Sequence, residues 1–128
     1  MSTTTLKSLL PTIPFEKKET MTALELFQNE ILRPILKFQN AGLCRLTLSY
    51  CYQMNPSFSS LSATKKRKMI NELLAGNQAL RNQLTGMIIS FLDDTDWQFY
   101  ETQQKDIHKR IIQMIAVRVL DGFEKFVK

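Results

Sequence analysis

Three arginines, Arg33, Arg81 and Arg118, lie in or beside apolar stretches of this chain. A guanidinium carries a planar fork of donors that matches a carboxylate or a phosphate. The amides Gln28, Asn29, Asn77 and Asn82 and the acids Glu30 and Glu72 recur nearby. Two arrangements are open. In one, Arg33 and Arg81, with Gln28 and Asn77, clamp a small anionic ligand in a pocket that binds it or turns it over. In the other, the same side chains form buried pairs that fix helix register.

The run "KKRK", Lys65, Lys66, Arg67 and Lys68, is the sharpest cluster of charge. It could meet phosphates of a nucleic acid or an anionic surface. Otherwise it is a solvated first helical turn, although cations there oppose the helix dipole by up to about 1 kcal/mol. No aromatic residues interleave it, so base stacking is not indicated.

Other reactive types give less. His108 is the only imidazole and, beside Lys109 and Arg110, reads as solvent-facing. Asp93, Asp94 and Asp96 suit helix capping better than calcium, which wants a longer run of oxygen ligands with a glycine turn. Cys44 and Cys51 lie about 10 Å apart along a helix, too far for a disulfide, and read as reduced packing residues. Phosphate-binding glycine loops, nucleophile elbows and zinc spacings are absent from the sequence. No catalytic residue, metal or cofactor is therefore assigned, and the residues lean away from an enzyme.

The elements that must position these groups are helical. Gly and Pro are scarce, at four each, and no strand-like alternation is present. Residues 1–20, interrupted by Pro11 and Pro14, read as an arm, which Leu9, Leu10, Ile13 and Phe15 could pin to the domain formed by 21–128. A first helix is predicted from a capping box at Thr22–Glu25 to about Gln53, stopped by Asn55-Pro56. Its "FQN" tripeptide repeats after eleven residues, almost three turns. Phe27, Ile31, Ile35 and Phe38 then share one stripe, which Leu32, Leu36 and Leu43 widen. The amides beside the stripe can bridge to neighbouring helices or backbone. Pro34 should kink this helix and free the carbonyl of Glu30. A second helix is read as continuous over 62–92, with Asn77 inside a heptad seam; a break near Gly76 is the alternative. A third runs from Asp96 to about Phe126.

The stretches "ELFQNEILRPILKFQN", "NQALRNQLTGMIISF" and "IHKRIIQMIAVRV" resemble a small, uncharacterised, all-helical bacterial family. Its members share a "FQN…LRPI.K.QN" opening and a "…R..L.GMI…F" middle segment. The resemblance spans roughly residues 9–119 and implies no catalytic residues. Members are sometimes labelled glyoxalase. The chemistry does not support that label here: one histidine and no strands give no metal-binding glyoxalase site, and neither cysteine has a histidine nearby in sequence.

The expectation is an all-α, antiparallel up-down bundle of three long helices. Helices longer than such a bundle needs would expose apolar surface, which favours a homodimer. The leading function is a non-enzymatic, self-associating protein–protein interaction module. The alternatives are nucleic-acid or anionic-surface binding through Lys65–Lys68, and a small-ligand pocket around Arg33 and Arg81. A net charge of +5 permits an anionic partner without requiring one. No apolar leader or membrane-length stretch is evident in the sequence, so a cytoplasmic protein without membrane insertion is expected.

Overall fold

Pro34 decides how the chain enters the fold. In an α-helix it removes one hydrogen bond and crowds the carbonyl four residues back. The computed structural model, which describes residues 9–11 and 21–128, resolves this by widening the preceding turn. Helix α1 covers 23–38: a regular start over Ala23–Phe27, a π-helical turn over Gln28–Leu32, and a second regular segment over Arg33–Phe38 with Pro34 in its first turn. The Arg33 amide donates five residues back, to Gln28. The extra residue changes which side chains face inward. Phe27 and Leu32, five apart, are buried with Ile35 and Leu36, whereas Phe38 is 48% exposed. Ile31 is partly buried against the same core, so of the expected stripe of Phe27, Ile31, Ile35 and Phe38 only Phe38 turns outward. The widened turn lengthens the period by one residue between Phe27 and Leu32.

Thr22 caps α1, its hydroxyl accepting from the Glu25 amide at 3.1 Å. After a distorted turn at Gln39 the chain continues as α2, Asn40–Met54. It stops at Asn55, which is extended ahead of Pro56. A 3-10 turn over Phe58–Ser60 leads to α3, Ala63–Gly76, capped by Ser62. Here the chain departs from the continuous helix expected over 62–92. Asn77 is extended, and its side-chain oxygen accepts from the Leu80 amide at 2.9 Å. It is the N-cap of α4, Gln78–Ile89, and not a core amide in a seam. Glycine just before asparagine favours this: Gly76 weakens a helix interior, and Asn77 supplies the cap that a new helix needs.

The third long helix also divides. Asp93 and Asp96 form a reciprocal capping box that starts α5, Asp94–Thr102. Gln103 leaves helical geometry, and α6 runs Gln104–Gly122 before a 3-10 turn over Phe123–Phe126. The described residues are thus all-helical, without strands, in shorter helices than expected. None is long and apolar enough to cross a membrane.

Helix α6 is the hub. It packs against α2, α3, α4 and α5, and α2 in turn packs against α3, α4 and the C-terminal 3-10 turn. Ile107, Ile111, Ile115 and Val119 recur every four residues along α6 and are fully buried. Leu43, Cys44 and Cys51 meet them from α2, Ile70 from α3, and Leu80, Leu84 and Ile88 from α4. The arm expected over 1–20 lies outside the described residues except at 9–11, where Leu10 packs against the core.

The amides flanking the "FQN" repeat do bridge outward. The Gln28 carbonyl oxygen accepts from Arg110 on α6 at 2.6 Å, and the Gln39 amide donates to the Met87 carbonyl on α4 at 3.2 Å. Gly42 leaves room for the tip of the Met87 side chain, whose Cε would lie 2.9 Å from an added Cβ.

The helix break makes opposite predictions for two adjacent residues. Asn77→Ala removes the acceptor for the Leu80 amide and should lower stability in urea by about 1 kcal/mol. Gly76→Ala meets nothing within 4 Å and needs no unusual backbone angle. It should raise stability by about 0.5–1 kcal/mol through the unfolded chain's lost freedom. A rise on Asn77→Ala would mean that the helix runs through.

Candidate functional site

The break at Asn77 also sets the position of Arg81. One turn into α4, its guanidinium donates to the Leu74 carbonyl at 2.7 Å, satisfying the last turn of α3. Its other donors remain on the wall of a cavity of about 350 Å³ between α4, α5 and α6. Tyr100 reaches this cavity from α5 and His108 from α6, while Thr85, Ile89 and Ile112 supply a less polar floor. Asn82 lines it too and accepts from the Gln78 amide at 2.8 Å.

Tyr100 and His108 form the chemical centre. The phenol oxygen lies 2.5 Å from His108 Nε2, and the two rings are 5.4 Å apart. Tyr100 is held from behind by Trp97, edge to face with centroids 5.0 Å apart. Burial raises the Tyr100 phenol above its ordinary range and lowers the His108 imidazole. Both shifts favour the neutral pair at pH 7. Such a pair can hold one shared proton, with donor and acceptor exchanging roles as the imidazole tautomer changes. An anion set against Arg81 would meet a phenol and an imidazole that add hydrogen bonds but no opposing charge.

The residues singled out in the sequence are dispersed. Arg81 reaches this cavity. Arg33 instead lines a second one, of about 480 Å³, with Arg118 and Asn40. Gln28 accepts from Arg110, and Asn77 caps α4. The basic run sits on the first turns of α3. There Arg67 donates to the Leu120 carbonyl at 2.8 Å, closing the end of α6, and Lys68 lies 4.0 Å from Glu72. Two of its four cations therefore have structural partners, and Lys65 is exposed. Both cysteines are fully buried, and burial pushes the Cys51 thiol up to about 11 and raises that of Cys44. Neither is poised as a nucleophile. Among the described residues no three His, Cys, Asp or Glu side chains gather as a metal site.

From the sequence alone His108 reads as solvent-facing, with no link to Tyr100. Eight residues along a continuous helix separate two groups by about 12 Å. Only the interruption at Gln103 folds α5 back so that they touch. The one hint was a run of amides, "QQ" at 103–104, with nothing apolar to carry the stripe across.

Comparison with known proteins finds no family model, no curated protein and no solved structure that matches this chain.

The neutral state of His108 predicts a pH dependence. Its folded pKa lies below the ordinary 6.5, so the unfolded chain binds the proton more readily. The stabilisation is present above about pH 6.5 and is lost as pH falls toward the folded value. Urea denaturation at about pH 7.5 and about pH 5 should show a smaller loss for His108→Gln than for the native chain. Equal losses would assign no such role to the imidazole.

Proposed function

We propose that this protein binds a small carboxylate with an apolar body in the cleft between α4, α5 and α6. One observation carries the reading: three separate helices bring Arg81, Tyr100 and His108 to the same cavity. Arg81 supplies the charge, already oriented by its bond to the Leu74 carbonyl. Tyr100 and His108 supply neutral hydrogen-bonding groups, and Ile89 and Ile112 accommodate the apolar part. A site that combines apolar walls with a few convergent polar groups is the usual form for small-ligand recognition. No step of bond making is assigned to these residues.

The observations lend less support to self-association. Among the described residues the exposed large apolar side chains are Leu9, Phe38, Met54 and Val117. Phe38 and Met54 flank opposite ends of α2, roughly 24 Å apart along its axis. Such scattered residues are ordinary on a monomer surface.

Benzoate tests the proposal, with benzyl alcohol as its uncharged counterpart. Benzoate should shift the backbone resonances of 78–86, Tyr100, His108 and Ile112, and change Trp97 fluorescence. Arg81→Gln should weaken binding about tenfold or more, because a charge-assisted hydrogen bond is worth about 1.5–3 kcal/mol. Tyr100→Phe should weaken it without touching the Leu74 carbonyl. Equal binding of benzyl alcohol, or shifts confined to other helices, would overturn the reading.

A further inference from the structure

The chain has six arginines. Four have described partners. Arg67 and Arg81 donate to the carbonyls that end neighbouring helices, Arg110 donates to Gln28, and Arg45 lies over the Phe126 ring at 5.1 Å. The remaining two, Arg33 and Arg118, line the same cavity. No hydrogen bond or ion pair ties either one to another residue among those described. Both are half-buried, on α1 and α6. Burial, and after it the charge of Arg33, lowers the Arg118 pKa from its ordinary value, so the two cations oppose each other across this cleft.

Two half-buried like charges raise the energy of the folded state unless something neutralises them. The cleft holds one acid, Asp121, which is exposed. Water screens its charge, so it offsets the half-buried arginines only weakly. Asn40 adds an amide whose nitrogen lies within 3.9 Å of the Cβ position of Gly122, on the lining of the same cleft. A single carboxylate would neutralise one arginine. A phosphate group carries about −1.5 to −2 at pH 7 and presents three acceptor oxygens. That is enough for two guanidiniums and an amide together.

We propose that Arg33, Arg118 and Asn40 form a binding site for a phosphate dianion, separate from the Arg81 cleft. The group could belong to a soluble phosphate compound or to a lipid headgroup, and the recognition chemistry is the same for both. Val117, 62% exposed at the rim, would lie beside whatever carries the phosphate.

The test uses the full chain and inorganic pyrophosphate, at constant ionic strength set with sodium chloride. Pyrophosphate should perturb the Arg33 and Arg118 side-chain Nε–H resonances and the Asn40 amide in a saturable way. It should also raise the unfolding temperature beyond the chloride control. Arg118→Gln and Arg33→Gln should each weaken binding about tenfold or more. Neither variant should lose stability without the anion, since each removes a repulsion. Arg81→Gln should leave pyrophosphate binding unchanged, which separates this site from the carboxylate cleft. Vesicles containing phosphatidic acid form the second arm. Arginine-dependent binding to vesicles, without pyrophosphate binding, would assign the phosphate to a lipid; the converse would assign it to a soluble compound. The proposal is overturned if neither probe depends on Arg33 and Arg118, or if both variants unfold more easily in the absence of anion.

Discussion

Burying the inner face of one helix against four others is the constraint on which the rest of this fold depends. Helix α6 presents isoleucines and a valine at four-residue spacing, and all of them are removed from water. A 19-residue helix is about 28 Å long. The chain covers that inner face by dividing its helical stretches at Gln39, Asn77 and Gln103, so that the shorter pieces α2, α3, α4 and α5 all pack against it. Each division leaves helix ends with unsatisfied backbone groups. Side chains answer those at the Asn77 break, Arg81 for Leu74 and Asn77 for Leu80, and Gln39 and Arg67 do the same for Met87 and Leu120 in the last turns of α4 and α6.

This economy links helix breaks to clefts. Helix ends and clefts arise together, because pieces that meet at angles leave wedges between them. The wedge beside the Asn77 break collects Arg81, Tyr100 and His108. The one between α1 and the far half of α6 collects Arg33 and Arg118. Residues that first serve the backbone, such as Arg81, thereby come to stand in a cavity with donors to spare. The basic run on α3 shows the other outcome, since Arg67 is used up in closing α6.

Helix content was legible in the sequence because scarce Gly and Pro and a sustained apolar period report it directly. The start at Thr22 and the stop at Asn55-Pro56 were legible for the same local reason: capping and the proline restriction act within a few residues. The outward bridging of Gln28 and Gln39 was also foreseeable, as polar groups beside an apolar stripe. The breaks were harder to read. Across Gly76-Asn77 the apolar spacing carries on without a slip, so periodicity argued for continuity while cap chemistry argued against it, and the cap prevailed. At Gln103 neither glycine nor proline marks the interruption. The pairing of Tyr100 with His108, and of Arg33 with Arg118 in place of Arg81, follows from how the pieces dock. Nothing in residue spacing encodes it.

The π-helical turn ahead of Pro34 carries a consequence for how this chain can change length. A widened turn holds one residue more than the α-helix around it, equivalent to a single-residue insertion absorbed without a loop. Removing one of Gln28–Leu32 would let the segment close into regular helix. It would also rotate everything upstream by about 100° relative to α2, since each residue turns the helix by that angle. Phe27, whose ring now lies 4.9 Å from that of Phe99 on α5, would swing off its partner. The start of α1 and the flank of α5 are thus in phase only because of this extra residue. A homologue with a regular helix here should carry its aromatic contact one position away, and an alignment gap at 28–32 would mark the change.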